Sequence, residues 1–215
     1  MLGAVPPRSA AARRPKRRVR LETDERRAQL LALARSAFSH RAYDDVSIDD
    51  LAREAKISKG LLYHYFPTKR DLYVAGLSQI ADELVAAVTD LPPDAAPIDR
   101  MRTSLHAYLE HIARHGRAFV SLMRGGIGSD PEVAEVIDGV RSRLFDQFMT
   151  DSSFAAAIRS DVRFETLVRG WIGFVEATSI DWCANPRLTR TQLVDLLLQI
   201  LVEIMKAVPV VLAGQ

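Results

Sequence analysis

Between residues 56 and 72 the chain reads KISKGLLYHYFPTKRDL. Within it Lys56, Lys59, Lys69 and Arg70 stand among Tyr63, His64, Tyr65 and Phe66, with Asp71 as the one acid. Ammonium, guanidinium, phenol and imidazole groups set so closely can hold phosphate oxygens and the donor and acceptor edges of bases. Two other sets invite a chemical reading. His111 and His115 are four residues apart, which puts two imidazoles on one helix face and can bind a metal. The neighbouring acid, Glu110, precedes the pair instead of lying inside it, so this is not the metalloprotease arrangement, and a surface pair of histidines is the plainer reading. Cys183 is the single cysteine, which excludes an internal disulfide; a lone thiol is more often a small buried hydrophobe than a redox sensor. No serine or cysteine sits in a nucleophile elbow, and no glycine-rich phosphate loop follows a strand. Catalytic residues, metal ligands and cofactors are therefore not expected.

Composition narrows the setting. Apolar residues make up 48% of the 215 and charged residues 26%, the mixture of a globular chain large enough to bury a core. No apolar run approaches the ~18 residues of a membrane span, and with one cysteine a reducing cytoplasm fits best. The net charge of +2 conceals a split. Residues 1–20 hold seven basic groups and no acid, so residues 21–215, with 22 basic against 27 acidic, carry −5. A like-charged, proline-bearing, alanine-rich head is expected to be disordered over residues 1–22. It has the arginine-rich look of a transit peptide without the apolar segment of a secretory signal. It reads as a solubilising tail, as sequence upstream of the true start, or as an arm that touches DNA.

From Thr23 onward the periodicity is helical throughout. Thr23 can cap a first helix whose apolar stripe is Leu30, Leu31, Ala34, Ala37 and Phe38. Ser47 caps a second with Ile48, Leu51, Ala52 and Ala55 inward, Ser58 caps a short third that Pro67 stops, and Thr68 or Pro67 opens a longer fourth. The proline-rich DLPPDAAP reads as a linker, and helices are expected at about 98–115, 117–124, 131–150, 161–184 and 189–208, with RGGIGSDP (124–131) a mobile connection. The expectation is an all-α fold: a three-helix domain at 23–84 with a helix-turn-helix near 47–66, then a second helical domain at 85–215.

A helical wheel separates the two sides of the short third helix. Leu62, Tyr65 and Phe66 fall together and face Leu51, Ala55 and Phe38, while Gly60, Tyr63 and His64 fall opposite with Lys59 and Leu61 on the flanks. Gly60 lets backbone approach closely, Tyr63 can donate to a phosphate, and His64 can bond a phosphate or a base edge. Lys59 can reach guanine or the backbone, and Leu61 can press on a thymine methyl. Ser47 and Lys69 begin the neighbouring helices, where amides bind phosphate, and Ser58 completes the expected DNA face.

The stretch SIDDLAREAKISKGLLYHYFPTKRDL resembles the helix-turn-helix of tetracycline-repressor-type (TetR family) regulators, over roughly residues 23–84. Two positions depart from it: Lys56 stands where the turn usually carries glycine, and Leu61 where a DNA-touching threonine is common. The resemblance implies a homodimer whose two reading helices enter successive major grooves of a pseudo-palindromic operator. It further implies a small molecule, bound in the second domain, that releases the DNA, most simply from a repressor, with an activator or an inducer-free dimer as alternatives.

The second domain carries no motif. Gly170, Gly173 and Ala177 share one side of a helix and allow close approach, while the last helix is apolar through Leu193, Leu196, Leu197, Ile200, Leu201, Ile204 and Met205. A dimer seam of Gly170, Gly173, Ala177, Leu197, Leu201 and Ile204 would cover it; burial within its own subunit is the alternative. Candidate cavity walls are Tyr108, Phe119, Met123, Phe145, Phe148, Trp171, Phe174 and Trp182, with Thr178 as a hydroxyl in an aromatic row and Arg102 or Arg169 for a ligand carboxylate.

Overall fold

The computed structural model describes residues 16–91, 94–123, 130–151 and 162–207, with side chains at 23–91, 94–115, 130–149 and 162–206. Eight α-helices and no strands occur among them. They are α1 (Lys16–His40), α2 (Ile48–Glu54), α3 (Lys59–Tyr65), α4 (Lys69–Thr89), α5 (Pro97–Met123), α6 (Pro131–Asp151), α7 (Val162–Ala184) and α8 (Arg190–Ala207).

Local chemistry sets most boundaries. The Ser47 and Ser58 hydroxyls accept from Asp50 N and Leu61 N, at 3.4 and 3.1 Å, and so cap α2 and α3. Thr68 and Asp71 form a reciprocal capping box that starts α4 (Asp71 N to Thr68 Oγ1 3.0 Å, Thr68 N to Asp71 Oδ2 2.9 Å). Thr23 is not a cap: α1 begins at Lys16, because residues 16–22 are helix formers that follow Pro15 without a breaker. The expected break near residue 116 is a single non-helical residue, His115 (φ −108°, ψ 17°), in a continuous α5. The expected disorder of the head, up to residue 15, and most of the expected mobile 124–131 segment lie outside the described residues.

Two cores result. The first joins Leu30, Ala34 and Phe38 of α1 to Leu51 of α2, Leu62 of α3, and Leu72, Tyr73 and Leu77 of α4. The Phe38 and Tyr73 rings meet edge to face at 4.8 Å. The second joins Leu84 and Val88 of α4 to Leu105, Leu109 and Ile112 of α5, Trp171 and Val175 of α7, and Val194 and Leu197 of α8. Each fully buried side chain there, such as Leu109 or Leu197, contributes about 1.5–3 kcal/mol. Two helices belong to both cores. α4 has the length and mean hydropathy of a membrane span, which the residue-by-residue reading missed, but its apolar residues are divided between two protein interiors. α6 places Val133 in the first core and packs Val140, Leu144 and Phe148 against the second.

Candidate nucleic-acid interface and ligand cavity

α2 and α3 form a helix-turn-helix whose turn runs through Ala55, Lys56, Ile57 and Ser58. Ile57 N donates to Ala52 O (3.0 Å) and Lys56 N to Arg53 O (3.1 Å), the paired bonds of a Schellman ending. That geometry requires a left-handed residue, and Lys56 adopts it with φ +55°. Departure from the family's glycine therefore leaves the turn intact and strains one residue.

The faces of α3 separate as the wheel requires. Leu62 and Phe66 are buried and Tyr65 half-buried, whereas Leu61 and Tyr63 are 38% and 37% exposed, with Gly60 and His64 exposed beside them. A Cβ at Gly60 would meet only the Ser58 hydroxyl, at 4.0 Å, so this side of the helix is open to close approach. Two lysines on this face have partners within the chain. Lys59 Nζ bonds Asp49 Oδ2 at 3.0 Å, and the carboxylate raises the lysine pKa. Lys69 Nζ sits 4.4 Å above the Tyr43 ring and donates to Asp44 O at 3.5 Å. Both pairs are exposed, so a phosphate can displace them at small cost. Ser47 and Ser58 use their acceptor lone pairs as caps and keep their hydroxyl protons for a partner.

A link missed by sequence reasoning sits behind this surface. Arg70 donates from Nε and Nη2 to the two oxygens of Asp130, the second at 2.6 Å, and from Nη1 to Glu132 at 3.0 Å. Asp130 is buried, and its Oδ1 also accepts from Glu132 N (3.0 Å), capping α6. The guanidinium and the cap hold its carboxyl below the usual carboxylate range. The available signal was Asp130-Pro131-Glu132, an N-cap followed by proline at the first helical position and an acid in the first turn.

In the second core lies a cavity of about 690 Å³. Its walls are overwhelmingly apolar and come from α4 (Leu84, Val88), α5 (Leu105, Tyr108), α6 (Val140, Phe148), α7 (Trp171, Val175) and α8 (Leu201, Met205). The expected Tyr108, Phe148 and Trp171 line it; Phe148 and Trp171 ring centroids are 6.2 Å apart. Burial, with Glu176 nearby, raises the Tyr108 pKa. Polar groups are few: Arg100, Ser104, Arg141, Gln147, Glu176 and Lys206. Arg141 holds Glu176 through two bonds (Nε–Oε2 2.9 Å, Nη2–Oε1 2.6 Å), a second pair that sequence spacing could not reveal because the partners are 35 residues apart.

Several expected cavity residues lie elsewhere. Phe174 is exposed, and the Thr178 hydroxyl donates to Phe174 O within its own helix turn. Phe145 packs with Phe164 and Val168, and Trp182 Nε1 donates to Leu188 O at 2.8 Å. The helix wheel located this aromatic row but could not tell which edge of α7 faced the cavity. Arg102 pairs with Asp195, and Arg169 pairs with Glu165 and lies 3.9 Å from the Phe145 ring centroid, so neither reaches the cavity. The side chains of Phe119 and Met123 lie outside the described residues.

Comparison with known proteins agrees with this geometry. Residues 30–75 match the family model for bacterial regulatory proteins of the tetR family, and residues 97–204 match the tetracyclin repressor-like C-terminal domain. The chain is a transcriptional regulator of the TetR family. A solved tetR-family transcriptional regulator from Streptomyces coelicolor is similar at 32% identity and TM-score 0.77, covering 86% of this chain and 82% of that one. The HTH-type transcriptional activator FasR of Mycolicibacterium smegmatis is 30% identical over 64% of this chain and 65% of its own length. The HTH-type transcriptional repressor KstR of Rhodococcus jostii is 28% identical over 69% and 73%. The matched stretch thus spans just under two thirds of the FasR chain.

For this TetR-family chain the last two helices need correction. Leu197 and Leu201 are buried in the regulator's own core, and Ile204 is half-buried against it, so Leu197 and Leu201 cannot form a seam between copies. The wheel of α8 was so broadly apolar that its inner stripe was misplaced. On α8 the uncovered apolar residues include Leu196 and Val202; on α7 they include Val162 at its start and, farther along, Gly170, Gly173, Phe174 and Ala177, with open space over both glycines. The regulator's histidines are not a surface pair either. His111 is buried, with Nε2 unpartnered, 4.5 Å from the His115 ring, and His115 Nδ1 lies 2.9 Å from Ser39 Oγ on α1. Burial first, then His115 and Arg114, lowers the His111 pKa to about 4, so the ring is neutral. Among the described residues no three His, Cys, Asp or Glu side chains converge as metal ligands.

Proposed function

We propose that this regulator binds a pseudo-palindromic operator as a homodimer and is released from it by a small, largely apolar molecule held in the cavity. The observation that carries the reading is the sharing of α4 and α6: both line the cavity, and both enter the core beneath the reading helix. A ligand that fits one arrangement of these helices better than another shifts the population of reading-head spacings by its differential affinity alone. Lys59, Gly60, Leu61, Tyr63 and His64 read the major groove, with Ser47, Ser58 and Lys69 at phosphates. The exposed Gly170, Gly173, Phe174, Ala177, Leu196 and Val202 supply the dimer seam, and the cytoplasm, where operator DNA is reached, is the site of action. The ligand has an apolar body with one polar group for Arg100, Arg141 or Gln147. FasR is named an activator and KstR a repressor, so both directions of control occur among relatives; repression by occupying a promoter is the simpler mechanism.

The test is enrichment of bound sequences from random duplex DNA, followed by titration of the enriched site against a library of apolar metabolites with Trp171 fluorescence as the cavity probe. Enrichment of an inverted repeat, and its release by a compound that also perturbs Trp171, is the expected outcome. Release by a compound that leaves Trp171 unperturbed would place the effector outside the cavity, and enrichment of no sequence would end the operator reading.

A further inference from the structure

We propose that Asp49 determines specificity, and that with Lys59 it reads one G·C base pair in each operator half-site: the ammonium takes guanine and the carboxylate takes cytosine. This role rests on the operator-binding reading above and adds a base pair to it. Lys59 is the first residue of α3 and Asp49 the second of α2. The fold brings them together, with Lys59 Nζ 3.0 Å from each Asp49 carboxylate oxygen. Their side chains are 50% and 62% exposed, so a base edge can reach both. A recognition helix meets base edges with its amino-terminal residues, while the helix before it crosses the backbone. Lys59 stands at that end of α3, and its bond to Asp49 brings the carboxylate to the same place.

The pair keeps bonding capacity after it forms. An ammonium has three donors and a carboxylate about four acceptor sites, and their mutual contact uses only part of each. In the major groove the edge of G·C runs acceptor, acceptor, donor: N7 and O6 of guanine, then N4 of cytosine. O6 and N4 are bonded to each other, so they stand about 2.9 Å apart. That matches the 3.0 Å between Nζ and the carboxylate. A·T runs acceptor, donor, acceptor, so a carboxylate on adenine N6 would meet thymine O4 beside it and be repelled. A phosphate has to displace the pair, whereas a G·C edge accepts it whole.

An acid in the first turn of α2 also suits the helix dipole. Asp50 occupies that turn too, and its carboxylate pairs with Arg53 of its own helix at 2.9 Å. Asp71 closes the capping box of α4, and Asp130 caps α6 and holds Arg70. Of these four, Asp49 is the one whose carboxylate meets a side chain of the reading helix. A carboxylate on a DNA face is repelled by the phosphates of every duplex, so it lowers affinity unless a donor on a base edge meets it. Cytosine N4 is such a donor, while guanine or thymine in its place presents acceptors and adds repulsion. The acid therefore discriminates by what it rejects as well as by what it binds.

The test enriches random duplex DNA with the intact chain, Asp49→Ala, Asp49→Asn, Asp50→Ala and Lys59→Met, then measures single base-pair changes in the enriched operator by fluorescence anisotropy. Circular dichroism checks that each variant folds. The intact chain should select a G·C pair at one place in each half-site, and replacing it in one half-site by A·T or C·G should weaken binding about tenfold. Asp49→Ala should reduce that penalty to about threefold and bind mixed-sequence duplex more tightly than the intact chain. Asp49→Asn, which keeps the side-chain shape should alanine disturb α2, should reduce the penalty too. Lys59→Met should lose the preference for guanine. Asp50→Ala removes the same charge one residue along and should keep the full penalty. If Asp49→Ala changes affinity for all sequences by one factor and leaves the penalty intact, Asp49 serves the helix or the overall charge; the proposal is then overturned and the operator reading stands. An equal loss of preference in Asp50→Ala, or an operator with no G·C pair that depends on Asp49, overturns it in the same way. Enrichment of no sequence by the intact chain would end both readings.

Discussion

Replacing Lys56 by glycine tests the turn that aims the reading helix. Lys56 is exposed, makes its backbone bond to Arg53 O and stands at φ +55°, so its side chain contributes strain and charge but no packing. A Cβ in the left-handed region costs about 1–2 kcal/mol. Glycine removes that cost but loses about 0.5–1 kcal/mol more conformational freedom on folding. The difference predicts that Lys56→Gly stabilises by about 0.5–1 kcal/mol. For a chain of this size that raises Tm by about 1–4 °C. Lys56→Ala supplies the control, because it removes the charge and keeps the Cβ. The assay is urea unfolding of the three proteins side by side, with the m-value required to stay constant. If glycine and alanine give the same midpoint, the left-handed turn is wrong, and so is the Schellman account of how α2 hands over to α3. Operator affinity should fall only slightly in both variants, since each loses one exposed cation.

Tyr63→Phe removes one hydroxyl from an exposed ring; operator binding should weaken about fivefold, the value of roughly 1 kcal/mol, with unchanged melting. Unchanged affinity would take Tyr63 off the DNA surface. Leu196→Asp should convert dimer to monomer in light scattering without lowering stability, whereas Leu197→Ala, one residue on and fully buried, should cost about 2–4 kcal/mol. A dimer that survives Leu196→Asp has its seam elsewhere. Acid should also expose the buried imidazole. Unfolded His111 takes a proton near 6.5 and the folded one only near 4, so stability is lost as pH falls between those values. His111→Gln should flatten that fall in urea midpoints measured at pH 7 and 4.5, and parallel curves would refute a neutral buried ring.

The elements that read clearly were those whose signals are local. Serine caps, Pro67 and the 3.6-residue stripe of α1 act within a turn or two, and the faces of α3 followed from one wheel because Leu62, Tyr65 and Phe66 fall together on one side of it. What escaped depends on partners distant in sequence. Asp130 is 60 residues from Arg70, and nothing near either announces the other. α8 presents apolar residues around so much of its surface that Leu196 and Leu197 read alike, although one is exposed and the other buried. His111 looked like a surface residue because it is polar, and its burial is imposed by neighbours from other helices. The start of α1 was missed for a different reason: Thr23 resembles a cap, but seven helix-forming residues precede it.

Val133 has a bearing on how such chains can be cut and recombined. Because α6 plugs it into the core under the reading helix, a fragment ending after α4 would carry an open socket lined by apolar side chains and an Arg70 stripped of its carboxylate. Grafting this head onto a foreign body would succeed only if the first turns of α6 travelled with it. The DNA-reading module is thus discontinuous in the chain, and its natural unit of exchange is two segments, not one.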